Sequence, residues 1–272
     1  MALRDDVQFG ELTHVGRARS VNQDWLGAWE PQNPRIFARK GRLLVVCDGM
    51  GGGPGGEVAS RLAVEAILAS YRADDLDDGV EAALTAAVQA ANAAVFARAQ
   101  EDPALAGMGT TAAVLAHQGA RVTWAHVGDS RVYRLRDGAL NRLTRDHSLV
   151  QRLQDEGKLA PEDVAGFAEQ NVILRSVGVQ PAVEVETGAD EARAGDAYLL
   201  CSDGLCGYVS DEETARLLTL GLGQGLPPAA VCQQLVDLAN AYGGHDNVTV
   251  QLLVLAGAPG ERATAAPGAA EA

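Results

Sequence analysis

The chain has 272 residues, 47% of them hydrophobic, with 22 Lys and Arg against 36 Asp and Glu and a formal net charge of −14. That balance excludes a surface built to neutralise nucleic-acid phosphates, and the length allows one domain or two with a core that needs no covalent staple. Cys47, Cys201, Cys206 and Cys232 form no C-x-x-C pair, so buried free thiols in a reducing compartment are expected.

At the amino end, MALRDDVQFGEL lacks an apolar stretch of signal-peptide length, and no later run approaches a membrane span. A cytoplasmic monomer with no membrane partner is expected. Residues 7 to 30 read as two strands joined by THVGRARSVNQD, and residues 30 to 42, with two prolines and several charges, as a surface loop. Leu43 to Cys47 is apolar throughout and reads as a buried strand. It ends in Asp48 and breaks into Gly49, Gly51, Gly52 and Gly53, which give the backbone turns closed to other residues.

From Glu57 the period changes to helical, with Ala59, Leu62, Ala63, Ala66 and Ile67 on one face, and Val80 to Val95 repeats the pattern more clearly. The acids Asp74, Asp75, Asp77 and Asp78 between them read as a solvated turn and helix start. Strands return in GTTAAVLA and RVTWAHV, and Asp137-Gly138 between RVYRLR and ALNRL predicts a hairpin. Residues 148 to 190 hold a short helix, an irregular piece around Pro161 and Gly166, and NVILRSVG, and are expected as a flap or small subdomain. A strand ending before Asp203, helices near 211 to 220 and 228 to 242, and a closing strand Val248 to Leu255 follow; the Ala/Gly/Pro-rich residues 256 to 272 are expected to be disordered.

Five acids stand at strand ends. Asp48, Asp129 and Asp203 follow strands, whereas Asp24 and Asp246 precede them. In an antiparallel sheet the exits of up-strands and the entrances of down-strands share one end, so all five carboxylates can converge. Two carboxylates about 4 Å apart repel by roughly 4 kcal/mol at an effective dielectric of 20. The only basic residues in these segments are Arg19, Arg131 and two histidines, so divalent metal is the expected counter-charge. An all-oxygen donor set favours Mg²⁺ or Mn²⁺ over zinc.

Other chemistries fit less well. Gly51, Gly53 and Gly56 satisfy G-x-G-x-x-G, but Asp48 would face a pyrophosphate with like charge. The Walker pattern fails at Glu57 and Val58, and neither Cys47 nor Cys201 has an arginine six positions on. Ser130 and Ser202 adjoin acids without an assignable histidine partner. Water activated by metal, attacking a phosphorus or carbonyl centre, remains.

In order along the chain stand RSVNQD, CDGMGG, MGTTAAVL, VGDSRVYRL, LTRDHSLVQ, NVILRSVG, LLCSDGL and HDNVTV. With these, residues 9 to 255 resemble the bacterial type 2C, metal-dependent PPM protein serine/threonine phosphatases. The resemblance implies an α+β, four-layer α-β-β-α sandwich of two antiparallel sheets flanked by helices, a domain over 7–255 with a flap at about 148–178, and two metal ions at one edge. Asp48 would bridge both ions and the Gly49 carbonyl would bind one. Asp203 and Asp246 would hold the other, and Asp24 would act through bound water. Arg19 matches the arginine that grips substrate phosphate, and Asp129 matches a ligand of a third, looser ion shared with Asp203. Phosphorylated proteins and a cognate Ser/Thr kinase are the implied partners. The wording of several segments resembles members that oppose kinases controlling type VI secretion.

Two departures from the family pattern stand out. Gln23 replaces a common Glu, which removes one outer charge, and Gly53 and Met50 stand where bacterial and animal members respectively carry His. Protonation of the leaving oxygen would then fall to His14 or to water on a metal. Arg131 is expected as a structural partner of strand-end acids, His147 as part of a helix-start network with Asp146 and Ser148, and His126 as a satisfied core or rim residue. The rival readings are a phosphopeptide-binding module without turnover and an esterase for small phosphorylated metabolites.

Overall fold

A computed structural model describes residues 3–51 and 55–256. Gly52, Gly53 and the tail from 257 onward lie outside the described residues. In chain order the elements are β1 (Val7–His14), β2 (Asp24–Trp29), α1 (Pro34–Lys40), β3 (Arg42–Met50), α2 (Gly55–Ala73), α3 (Val80–Glu101), β4 (Gly109–Thr110), β5 (Ala112–Gln118), β6 (Arg121–Val127), β7 (Arg131–Arg136), β8 (Ala139–Arg142), α4 (Leu149–Asp155), β9 (Glu186–Glu191), β10 (Ala197–Cys201), α5 (Asp203–Cys206), α6 (Asp211–Gly223), α7 (Pro228–Ala241) and β11 (Val248–Leu255).

The strands form two antiparallel sheets, one in the order β1-β11-β10-β7-β8, the other β2-β3-β5-β6-β9 with β4 added to β3. The alternation of β3 decides the layering. Leu43, Val45 and Cys47 pack with residues of α2 and α3, whereas Leu44 and Val46 meet Tyr198, Leu200 and Leu253 of the other sheet. On the far side, Leu199, Cys201, Val250 and Leu252 pack against Leu218 of α6 and Leu235 of α7. Helix, sheet, sheet and helix are therefore stacked in four layers, each interface closed by apolar side chains of fixed parity.

Three elements differ from the sequence reading. Residues 30 to 42 contain α1, which Asn33 caps by accepting from the Arg35 N–H, with Pro34 in the first turn and Gly41 ending it. The region read as a flap ends in β9, an acid-rich edge strand paired to β6. By length and composition alone α3 is long enough to cross a membrane, contrary to expectation, but Leu84, Val88 and Val95 are buried in the core. Its Asn92 bonds Gln180 O and the Gly178 N–H, which pins the chain after the flap to the helix layer.

Candidate metal centre

One end of the sandwich gathers the acids, because β2, β3, β6, β10 and β11 each carry one at or beside the end that lies there. Asp48 lies inside β3, which runs on to Met50 rather than ending at Cys47, and stands directly opposite Asp24, the first residue of β2. Asp203 lies two residues past the end of β10, and Asp246 two residues before the start of β11, its neighbour. Asp48, Asp203 and Asp246 line a cleft of about 260 Å³ together with Arg19, Gly49, Asn171, Ile173 and Tyr208. Asp129, two residues past β6, lines an adjoining cleft of about 220 Å³ that shares Asp203, Asn171 and Tyr208 with the first.

Backbone and hydroxyl bonds hold the carboxylates in place. The Asp48 N–H donates to Thr111 Oγ1 at 2.9 Å, and its carbonyl accepts from Thr110 Oγ1 at 2.7 Å and from the Thr111 N–H at 2.9 Å. Ser202 Oγ donates to Asp24 Oδ2 at 2.8 Å while accepting from the Thr249 N–H at 3.0 Å, a bond across the two sheets. Asn247 is the clamp between the loops. It accepts from the Gln23 N–H at 2.8 Å and donates to Val15 O and Val21 O. The 15–23 loop is tied in this way to the turn bearing Asp246, and Arg19 Nη2 reaches Asp246 Oδ2 at 2.7 Å.

Gly49 is required by close approach rather than by dihedral freedom. A Cβ there would lie 2.0 Å from Gly56 O and 2.6 Å from Gln23 O, so strand, loop and helix start meet on a bare backbone.

The electrostatics show what the cluster lacks. Burial, then the neighbouring carboxylates, pushes Asp48 well above the usual carboxylate range. Burial lifts Asp24 to about 7 against the hydrogen bonds from Thr249 and Ser202, and lifts Asp129 to about 8, with Asp203 adding to it. Asp203 is raised by burial as well. Oδ1 atoms of Asp24, Asp129 and Asp203 are buried without a hydrogen-bond partner. Unsatisfied buried carboxylate oxygens are costly. Asp203 lines both clefts, Asp129 the second, and Asp24 pairs with Asp48 just inside the first; with Asp48 and Asp246 they are a donor set for hard cations, and they fit Mg²⁺ or Mn²⁺.

Two expectations about basic residues need correction. His14 does not line the cleft; its Nδ1 accepts from the Gly16 N–H at 2.9 Å. His147 is bonded not to Asp146 or Ser148 but to Gly128 and Glu186. Ser148 caps α4, and Asp146 takes Arg131 through both oxygens, at 3.0 Å and 2.7 Å, as a strand-end partner should.

His126 is fully buried and poorly satisfied, since neither ring nitrogen makes a hydrogen bond of ordinary geometry and only the Ser130 backbone weakly favours its charged form. Its ring lies 4.8 Å from that of His147, and His126, His147 and Glu186 place ligand-type atoms within 4.8 Å of one another. The proton assignment disfavours a cation there. Nδ1 of His147 accepts from the Gly128 N–H, so Nε2 carries the proton and donates to Glu186, with Arg175 Nη1 beside it at 3.2 Å.

Residues 14–238 match the family described as protein phosphatase 2C. The chain belongs to that family. It is 43% identical over 212 residues to the serine/threonine protein phosphatase PstP of Mycobacterium tuberculosis, a match covering 77% of this chain and 39% of the relative. The chain thus spans about two fifths of that relative's length. It is 35% identical over 246 residues to the serine/threonine phosphatase Stp of Listeria monocytogenes, covering 89% of this chain and 93% of the relative. Among solved structures, the catalytic domain of PstP in complex with two manganese ions superposes with a TM-score of 0.78 at 37% identity, covering 92% of this chain and 98% of that one. The four-layer sandwich is the fold these phosphatases share.

Proposed function

We propose that this chain is a metal-dependent phosphatase that removes phosphate from phosphoserine and phosphothreonine of proteins, acting in the cytoplasm as a monomer and reversing a Ser/Thr kinase. The observation that carries the reading is the cleft in which Asp48, Asp203 and Asp246 face one another beside the exposed guanidinium of Arg19. Carboxylates alone would repel a phosphate dianion. Carboxylates that hold cations, with an arginine at the rim, would bind it.

Asp48 and the Gly49 carbonyl would hold one ion, Asp48 with Asp203 and Asp246 would hold a second, and Asp129 with Asp203 would hold a third. Bound divalent ions supply a water of lowered pKa and positive charge against the phosphoryl oxygens. Asp24, fixed by Ser202, would orient water at the inner wall. Arg19 presents a planar fork that matches two phosphate oxygens, and its present partner Asp246 keeps it at the rim. Asn247 holds the Arg19 loop and the Asp246 turn together, so phosphate and cations are positioned by one clamp. His14, turned toward Gly16, is not placed to deliver a proton to the leaving oxygen, which the open cleft leaves to solvent.

The test is phosphate release from a phosphothreonine peptide with Mn²⁺ titrated against chelator, for the wild type and for Asp203→Asn. Turnover that needs the ion and is lost in the variant supports the reading. Absence of turnover in wild-type protein that binds Mn²⁺ overturns it in favour of a phosphopeptide-binding role.

A further inference from the structure

The metal cleft and the adjoining cleft meet at a waist formed by Tyr208 and Asn171, both of which line both spaces. Tyr208 follows the short helix that begins with Asp203, and its backbone is fixed by the bond from its N–H to Leu205 O at 3.1 Å. The residue is 40% exposed, and its ring lies beside that of His245 in a tilted arrangement, centroids 5.5 Å apart, next to Asp246 in the chain. An aromatic residue anchored through its own backbone and left this exposed beside a histidine ring is poorly explained by packing alone.

The opposite wall is built with equal care. Residues 172 to 174 form a short strip pinned to 147–149, at the start of α4, by the Ser148–Ile173 bridge, with Leu149 N–H donating to Val172 O at 2.8 Å and Leu174 N–H to His147 O at 2.7 Å. Ile173 faces the metal cleft from this strip, and Val172 beside it is exposed. The waist is accordingly a slot between an aromatic ring and a pinned, partly apolar strip, with the phosphate-binding space on one side and, on the other, the cleft that Asp129 lines and whose outer wall of Val150, Val164 and Gln170 has no role in holding cations.

Resting on the phosphatase reading above, we propose that Tyr208 is a substrate-positioning residue: the peptide passes through the slot, the phosphorylated side chain entering the metal cleft and the flanking residue packing on the Tyr208 ring toward the second cleft. A rigid ring contributes contact area at small entropic cost, and such aromatic contacts carry a large share of recognition energy. Small phosphoesters fill the metal cleft without reaching the second. Tyr208 therefore discriminates a protein substrate from a phosphorylated metabolite.

The experiment compares kcat/KM for a phosphothreonine heptapeptide with that for N-acetyl-phosphothreonine amide, which has no flanking residues, in wild type, Tyr208→Ala and Tyr208→Phe at saturating Mn²⁺. The ratio of peptide to single residue is expected to fall about tenfold in Tyr208→Ala, chiefly through KM, and to be kept in Tyr208→Phe. Equal losses on both substrates, or no change in the ratio, would overturn the proposal while leaving the phosphatase reading intact. Wild-type protein that hydrolyses the single residue but not the peptide would overturn both. Should Tyr208→Ala not fold, Tyr208→Leu keeps the bulk, removes the planar ring and yields the same comparison.

Discussion

Replacing Asp24 with asparagine should stabilise the metal-free protein while weakening its response to metal. Burial raises the Asp24 carboxyl to about 7 from an ordinary value of 3.8. A carboxyl whose folded pKa is raised binds its proton more tightly in the folded state, so stability is highest at low pH and is lost as pH rises toward the folded value. At pH 7.5 the penalty of the wild-type carboxyl is about 4 kcal/mol, and at pH 5.5 about 2 kcal/mol. Asparagine keeps an oxygen for the Ser202 hydroxyl and offers an amide to Asp48 across the ladder, with no charge to desolvate. For a domain of this size the variant's midpoint in chelator should exceed the wild type's by about 8 to 16 °C at pH 7.5 and by about half that at pH 5.5. Thermal unfolding followed by circular dichroism reads both values. A variant no more stable than wild type, or an advantage unchanged between the two pH values, would refute the argument that the carboxylates are held in place for cations at the expense of the fold.

Three further outcomes follow from particular contacts. Gly49→Ala drives a Cβ to 2.0 Å from Gly56 O, a backbone atom that cannot swing away, so a loss of about 3 kcal/mol in denaturant unfolding and loss of the Mn²⁺-induced midpoint shift are expected. Arg19→Ala should raise KM for a phosphopeptide at least about tenfold, with Arg19→Lys intermediate because an ammonium cannot form the bidentate fork; steady-state kinetics measure it. His126, buried and pushed down to about 3, must stay neutral to fold. Its contribution is complete above its unfolded pKa near 6.5 and is lost as pH falls below it, about 2 kcal/mol by pH 5. Urea unfolding at pH 7 and pH 5 should show the wild type losing about 2 kcal/mol relative to His126→Phe, because the gain from protonating the buried carboxylates is common to both proteins and cancels in the difference.

How far the sequence reaches depends on whether a residue's task is local. Asp48 was readable because an apolar strand breaks into glycine just there, and strand direction alone then carried Asp24, Asp129, Asp203 and Asp246 to the same end. The closing strand Val248–Leu255 was readable because both its faces are buried, so six of its eight residues are apolar, with only Thr249 and Gln251 polar. α1 was hidden because its cues, Asn33 and Pro34 before and Gly41 after, bracket only seven residues rich in charge. β9 was hidden because an edge strand of sequence ETGADE has little apolar periodicity and is held by backbone pairing to β6. His126 looked like an ordinary strand residue. Only the packed rings and the lack of an ordinary hydrogen bond at either nitrogen reveal its cost, and only the shared walls of two clefts reveal Tyr208.

The central claim is that the end of the sandwich is an oxygen-donor centre for more than one hard cation. The most direct measurement is calorimetric titration of Mn²⁺ into chelator-treated protein at pH 7, in two buffers of different ionisation enthalpy, for the wild type and for Asp48→Asn. At least two ions per chain, with protons released on binding because Asp24, Asp48 and Asp129 are held above the ordinary carboxylate range, is the predicted result. Asp48→Asn should lose the tighter stoichiometric binding. A single site, no proton release, or binding indifferent to Asp48 would contradict the account.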